Sequence, residues 1–144
     1  MFAIERSAVV RTAAGTLDGL DEESRTARVR FETAIDLFVR ECYARRAVVR
    51  VGDFAARVGL SRQRLNKMVV KAFGKVLREV LRERQLAYAA QLLLTTRLDL
   101  AETARASGFG HRATLHRLFT LHYGVSPSQY RRTETRRAEQ ARQR

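Results

Sequence analysis

The sequence predicts an all-α protein, two helix-turn-helix subdomains joined by a long linker helix. Three observations carry that expectation. The stretch SRQRLNKMVVKAFG, Ser61 to Gly74, is answered fifty residues later by HRATLHRLFTLHYG, His111 to Gly124. In the first copy Leu65, Met68, Val69, Ala72 and Phe73 recur at i, i+3, i+4, i+7 and i+8, the buried stripe of an amphipathic helix. Proline occurs once in the chain, and no long valine- or isoleucine-rich alternation signals strands.

Taken in order, residues 1–27 are weakly patterned, with Gly15, Asp18 and Gly19 reading as turns, and are assigned to a weakly ordered N-terminal arm. A helical stripe of Phe31, Ile35, Phe38, Val39 and Cys42 runs within about 22–46, with Arg45 and Arg46 suited to its negative end. Cys42, the single cysteine, excludes an internal disulfide and reads as a small core residue. The main domain is placed at 28–132. Its first helix-turn-helix spans about 51–73: Val51, Phe54 and Ala55 on a short helix, a turn at Gly59, then the longer helix capped by Ser61 and closed by Gly74.

A linker helix follows at about 75–96, without glycine or proline, with Leu77, Val80, Leu81, Tyr88, Ala89, Leu92 and Leu93 turned to the core. About 20 residues at 1.5 Å each make a rod of roughly 30 Å, close to the ~34 Å between major-groove faces on one side of a duplex. The second helix-turn-helix spans about 99–123. Asp99-Leu-Ala-Glu102 is a capping box, Gly108 marks the turn, and Gly110 is one extra turn residue. Its long helix places Leu115, Leu118, Phe119 and Tyr123 on the buried positions, with His122 at the fifth, a packing residue. Ser126-Pro127-Ser128-Gln129 starts a last short helix carrying Tyr130. Residues 133–144 have no apolar face and are expected to be a frayed basic tail.

The chain carries 28 Lys and Arg against 15 Asp and Glu, a net charge of +13. The excess is not evenly spread. Phe54 to Arg78 holds seven basic residues and no acid, and Thr103 to Thr133 holds five Arg, three His and no acid. Both acid-free windows coincide with the repeated motifs. A surface of that sign attracts phosphates, and a basic, amide-bearing helix face is what a DNA major groove accepts.

These residues resemble the DNA-binding domain of the AraC/XylS family of transcription regulators. The match runs over about 28–132 and is strongest from Gln91 to Arg132, through Gly108-Phe109, Leu118-Phe119, Tyr123-Gly124-Val125-Ser126-Pro127 and Tyr130-Arg131. The resemblance implies a seven-helix fold whose two recognition helices, Ser61–Phe73 and His111–His122, each enter a major groove. By position it assigns DNA contacts to Ser61, Arg62, Gln63, Arg64, Asn66, Lys67 and Lys71, and to His111, Arg112, Ala113, Thr114, His116 and Arg117. It implies double-stranded DNA and RNA polymerase as partners and a monomer on DNA. The sequence departs from the family at Val69, usually phenylalanine, Thr103, usually isoleucine, Gln85, usually arginine, and Arg50 at the first cap. No room remains for the family's β-barrel effector domain, so a stand-alone regulator or a detached DNA-binding half is expected.

Other chemistry finds little support. His111 and His116 diverge on their helix and have no cysteine or acid cluster beside them, so no metal and no cofactor is expected. No phosphate loop, nucleophile elbow or carboxylate pair suggests an enzyme. No 18-residue apolar run or signal-peptide layout is present, which fits the cytoplasm and no membrane contact. The alternative reading is a sequence-independent nucleic-acid binder, but such proteins stack bases on exposed aromatics, and here the aromatics fall on core positions.

Overall fold

A computed structural model describes residues 21–144; most of the expected N-terminal arm, residues 1–20, lies outside the described residues. Seven helices and no strand occur among the described residues: α1 Glu22–Arg45, α2 Val51–Val58, α3 Arg62–Phe73, α4 Leu77–Thr95, α5 Leu100–Ala106, α6 Arg112–Tyr123 and α7 Pro127–Arg142. They form two compact units. Described residues 21–41 and 50–81 make the first, and residues 42–49 and 82–144 the second.

In the first unit, the Asp21 carboxylate accepts the Ser24 N–H at 2.7 Å and caps α1. From α1, Phe31, Ala34, Ile35, Phe38 and Val39 are buried, and the Phe38 ring meets Phe54 of α2 at 5.3 Å. The Ser61 hydroxyl caps α3 by accepting the Arg64 N–H at 3.2 Å. Arg50 caps α2 in position only, with no side-chain bond. Leu65, Val69 and Ala72 are the buried face of α3, and the half-buried Phe73 is covered by the Arg28 guanidinium at 4.9 Å. Met68 departs from the expected stripe. It is 40% exposed and lines an open groove with Glu23, Ser24, Ala27, Lys71 and Ala72. The small side chains of Ser24 and Ala27 leave that groove unfilled.

In the second unit, Leu86, Ala89, Ala90 and Leu93 of α4 close around Ala104, Phe109, Leu115, Leu118 and Phe119. Tyr123 and Tyr130 add ring contacts to Phe119 at 4.5 and 5.3 Å. Asp99 caps α5 by accepting the Glu102 N–H at 2.7 Å, and Ser126 caps α7 by accepting the Gln129 N–H at 3.2 Å. His122 is a correction: it is exposed, with its ring edge-on to Tyr123 at 4.7 Å. It follows Leu118 by four residues, at the margin of a stripe that Leu115 and Phe119 already fill.

Two of the family departures acquire a physical account here. Thr103 is fully buried, and its hydroxyl donates to the Asp99 carbonyl at 2.8 Å, so it brings no unsatisfied polar group into the core. Gln85 is buried, and its amide donates to the Ser107 carbonyl at 3.1 Å, in the turn that precedes α6. That turn is tightly fitted. Gly108 has φ +77, and a Cβ on it would stand 2.5 Å from Val49 Cγ2, while its carbonyl accepts the Val49 N–H at 3.0 Å. Only glycine tolerates both conditions.

The expected frayed tail is helical through Arg142. Residues 133–144 carry no apolar face that would mark a helix. The helix rests instead on its Ser126 cap and Pro127 start, on residues of good helix propensity such as Ala, Glu, Gln and Arg, and on Arg131. The Arg131 Nε donates to the Leu93 carbonyl and its Nη2 to the Leu98 carbonyl, both at 2.8 Å. These are carbonyls at and after the last turn of α4, where intrahelical partners run out.

Candidate nucleic-acid interface

Each recognition helix begins at a residue with extended backbone. Ser61 and Arg62 open α3, His111 and Arg112 open α6, and Gly74 and Gly124 end them, both with φ 75. This local chemistry fixes which side chains face out. On α3, Gln63 and Lys67 lie opposite the buried Leu65, Val69 and Ala72, and with Ser61, Arg62, Arg64 and the flanking Lys71 they are exposed. On α6, Ala113, His116 and Arg117 lie opposite Leu115, Leu118 and Phe119. They are exposed together with His111 and Arg112, and Thr114 is half-buried. The two sets belong to different units.

Asn66 stands apart from the rest. It is half-buried, and its Oδ1 accepts the Leu77 N–H at 3.1 Å. Its oxygen thus satisfies one of the orphan donors that open α4. The outer faces also carry two apolar residues outside the periodic stripes, Val70 at 42% exposure and Leu121 at 78%. A further residue of this surface is Gly52, over which the Arg62 guanidinium lies. Its only sequence signal is position: glycine is a poor helix former, yet here it occupies the second residue of α2.

The electrostatics follow from composition. No Asp or Glu falls within α3 or α6, so nothing on either helix neutralises its basic side chains. Among the described residues no group of His, Cys, Asp and Glu is placed to hold a metal, and no helix is long and apolar enough to cross a membrane.

A family model described as a helix-turn-helix domain matches residues 54–133, more than half of the chain. The chain belongs to that helix-turn-helix family, of the AraC/XylS type. As a member of this family it is 33% identical over 90 residues to the transcriptional activator NphR of Rhodococcus sp., covering 62% of this chain and 27% of NphR. It therefore spans well under two thirds of that relative. Among solved structures it is similar to the C-terminal domain of the two-component response regulator yesN of Fusobacterium nucleatum, with TM-score 0.63 and 27% identity over 71% of this chain and 98% of that one. The DNA-binding domain of AdpA, solved in complex with a target DNA, has the same fold, with TM-score 0.64 and 24% identity over 74% of this chain and 96% of that one. The matched region of the AraC/XylS-type chain begins at Phe54, inside α2, and takes in both turns and both recognition helices.

Proposed function

We propose that this chain is a sequence-specific DNA-binding transcription regulator, in which α3 and α6 each read a major-groove segment. The observation that carries the reading is the duplicated helix-turn-helix, whose two recognition helices bear basic outer faces free of acid. In this reading Gln63 and Arg112, near the starts of their helices, reach base edges, and Ala113 meets a thymine methyl. Arg64, Lys67, Lys71 and Arg117 anchor phosphates. Asn66, whose oxygen holds the Leu77 N–H at the start of α4, is left out of the reading surface. The known partner of the AdpA domain, a target DNA, supports the choice of partner. Contact with RNA polymerase is part of the proposal and follows from the family resemblance.

The two motifs arise by tandem repetition and carry different outer residues. The chain accordingly binds as a monomer to a site with two unlike boxes. Selection of bound sequences from random duplex DNA tests this. A non-palindromic two-box motif is expected. A palindrome bound by a dimer would overturn the monomer reading, and recovery of no preferred sequence would favour a sequence-independent binder.

A further inference from the structure

Helix α7 packs through Pro127, Tyr130, Arg131 and Glu134, which are buried or half-buried. Their spacing of i, i+3, i+4 and i+7 is one helix face. Past Glu134 every residue is exposed, so α7 runs on for about two further turns, ~12 Å, with no packing partner within its own unit. The face opposite the packed one carries Gln129, Arg132, Arg136 and Gln140, with Glu139 on its flank.

The chemistry of this face narrows its use. From Arg131 to Arg144 there are six Arg and two Glu. Arg131 is committed to the carbonyls of Leu93 and Leu98, and Arg137 to Glu134 at 2.8 Å. Arg132 and Arg136 hold no ion pair among the described residues. After Tyr130 the only apolar residues are Ala138 and Ala141. A face without an aromatic or branched apolar anchor is poorly suited to burial against another protein, and it lacks the apolar side that an interfacial membrane helix needs. Arginine and glutamine on a solvated helix match a run of anionic hydrogen-bond acceptors.

We infer that the outer face of α7, centred on Arg132 and Arg136, is a third DNA-contacting surface, which holds backbone phosphates of the duplex and reads no bases. This rests on the DNA-binding reading above. The experiment compares the full chain with an Arg132→Gln, Arg136→Gln double variant, because glutamine keeps helix propensity while removing the charge. Affinity for a selected site and for a scrambled duplex is measured across a salt series. The expected result is a log–log salt slope shallower by about two, an equal loss on both duplexes, an unchanged melting temperature and an unchanged base preference. A folded variant with the wild-type slope overturns the inference. So does a variant that keeps the slope but loses binding to phosphatidylserine vesicles. A wild-type chain that binds neither duplex overturns the DNA-binding reading itself.

Discussion

The guanidinium of Arg62 lies against the backbone of α2 at Gly52, so close that a Cβ on Gly52 would stand 2.3 Å from Nη2. Alanine at 52 suits a helix better than glycine does, so Gly52→Ala should leave stability undiminished yet push the Arg62 side chain aside. Its effect on DNA affinity and base preference should match that of Arg62→Ala. On an Arg62→Ala background it should add nothing, which a double-mutant cycle measures. Additive effects would show that Gly52 does not act through Arg62.

Asn66 should behave as a structural residue. Asn66→Ala removes the acceptor of the Leu77 N–H and should lower stability by about 0.5–2 kcal/mol, the range for a lost helix cap. Base preference should be retained. Thermal melts beside a panel of single-base-pair variants separate the two, and a relaxed preference at full stability would return Asn66 to the reading surface.

On α6 three residues should give three different signatures. Leu115 is fully buried, so Leu115→Ala should cost roughly 2–5 kcal/mol of stability. Arg112→Ala, like Gln63→Ala on α3, should relax preference at one or two base pairs and cost roughly 1–3 kcal/mol of binding. Arg117→Ala should weaken all sequences alike and reduce the salt slope by about one. The same panel, run with melting curves, distinguishes them. A changed preference in Leu115→Ala without loss of stability would reverse the assignment of faces.

Arg131 should act on the stability of the second unit. Its two bonds to the Leu93 and Leu98 carbonyls close the end of α4, so Arg131→Ala should lower stability by roughly 1.5–3 kcal/mol per charged hydrogen bond at most. Arg131→Lys should restore only part of this, since an ammonium lacks the planar fork. Denaturant midpoints test both variants. Full rescue by lysine would mean that charge alone, and not the paired donors, holds the helix end.

The Asp21 carboxyl is held below its ordinary value of 3.8, first by the Ser24 backbone N–H and then by the Ser24 side chain. A carboxyl depressed in the folded state contributes stability that is present above its unfolded value and is lost as pH falls through the folded one. Acidification from about pH 5 should therefore destabilise the wild type more than Asp21→Asn, which caps without titrating. Melting temperatures of the two as a function of pH decide it, and parallel curves would remove Asp21 from the acid response.

The elements themselves were legible in the sequence. Ser61, Asp99 and Ser126 are caps, Gly74 and Gly124 are stops, and the Leu65–Val69–Ala72 and Leu115–Leu118–Phe119 stripes mark the buried faces. Each of these is a local signal, set by backbone sterics, a capping bond or a 3.6-residue period. What only the tertiary structure decided depends on atoms distant in sequence. Met68 and His122 sit on the apolar pattern but stay exposed, because neighbouring side chains fill the core or leave a groove open. Asn66 turns its oxygen to the start of α4, Arg131 turns back to the end of the same helix, and Gly52 makes space for Arg62. The C-terminal helix has no apolar face to announce it, and it persists through its cap, its propensity and one arginine anchored 38 and 33 residues back along the chain. Periodicity records which face is buried; it does not record which polar groups meet once the helices are packed.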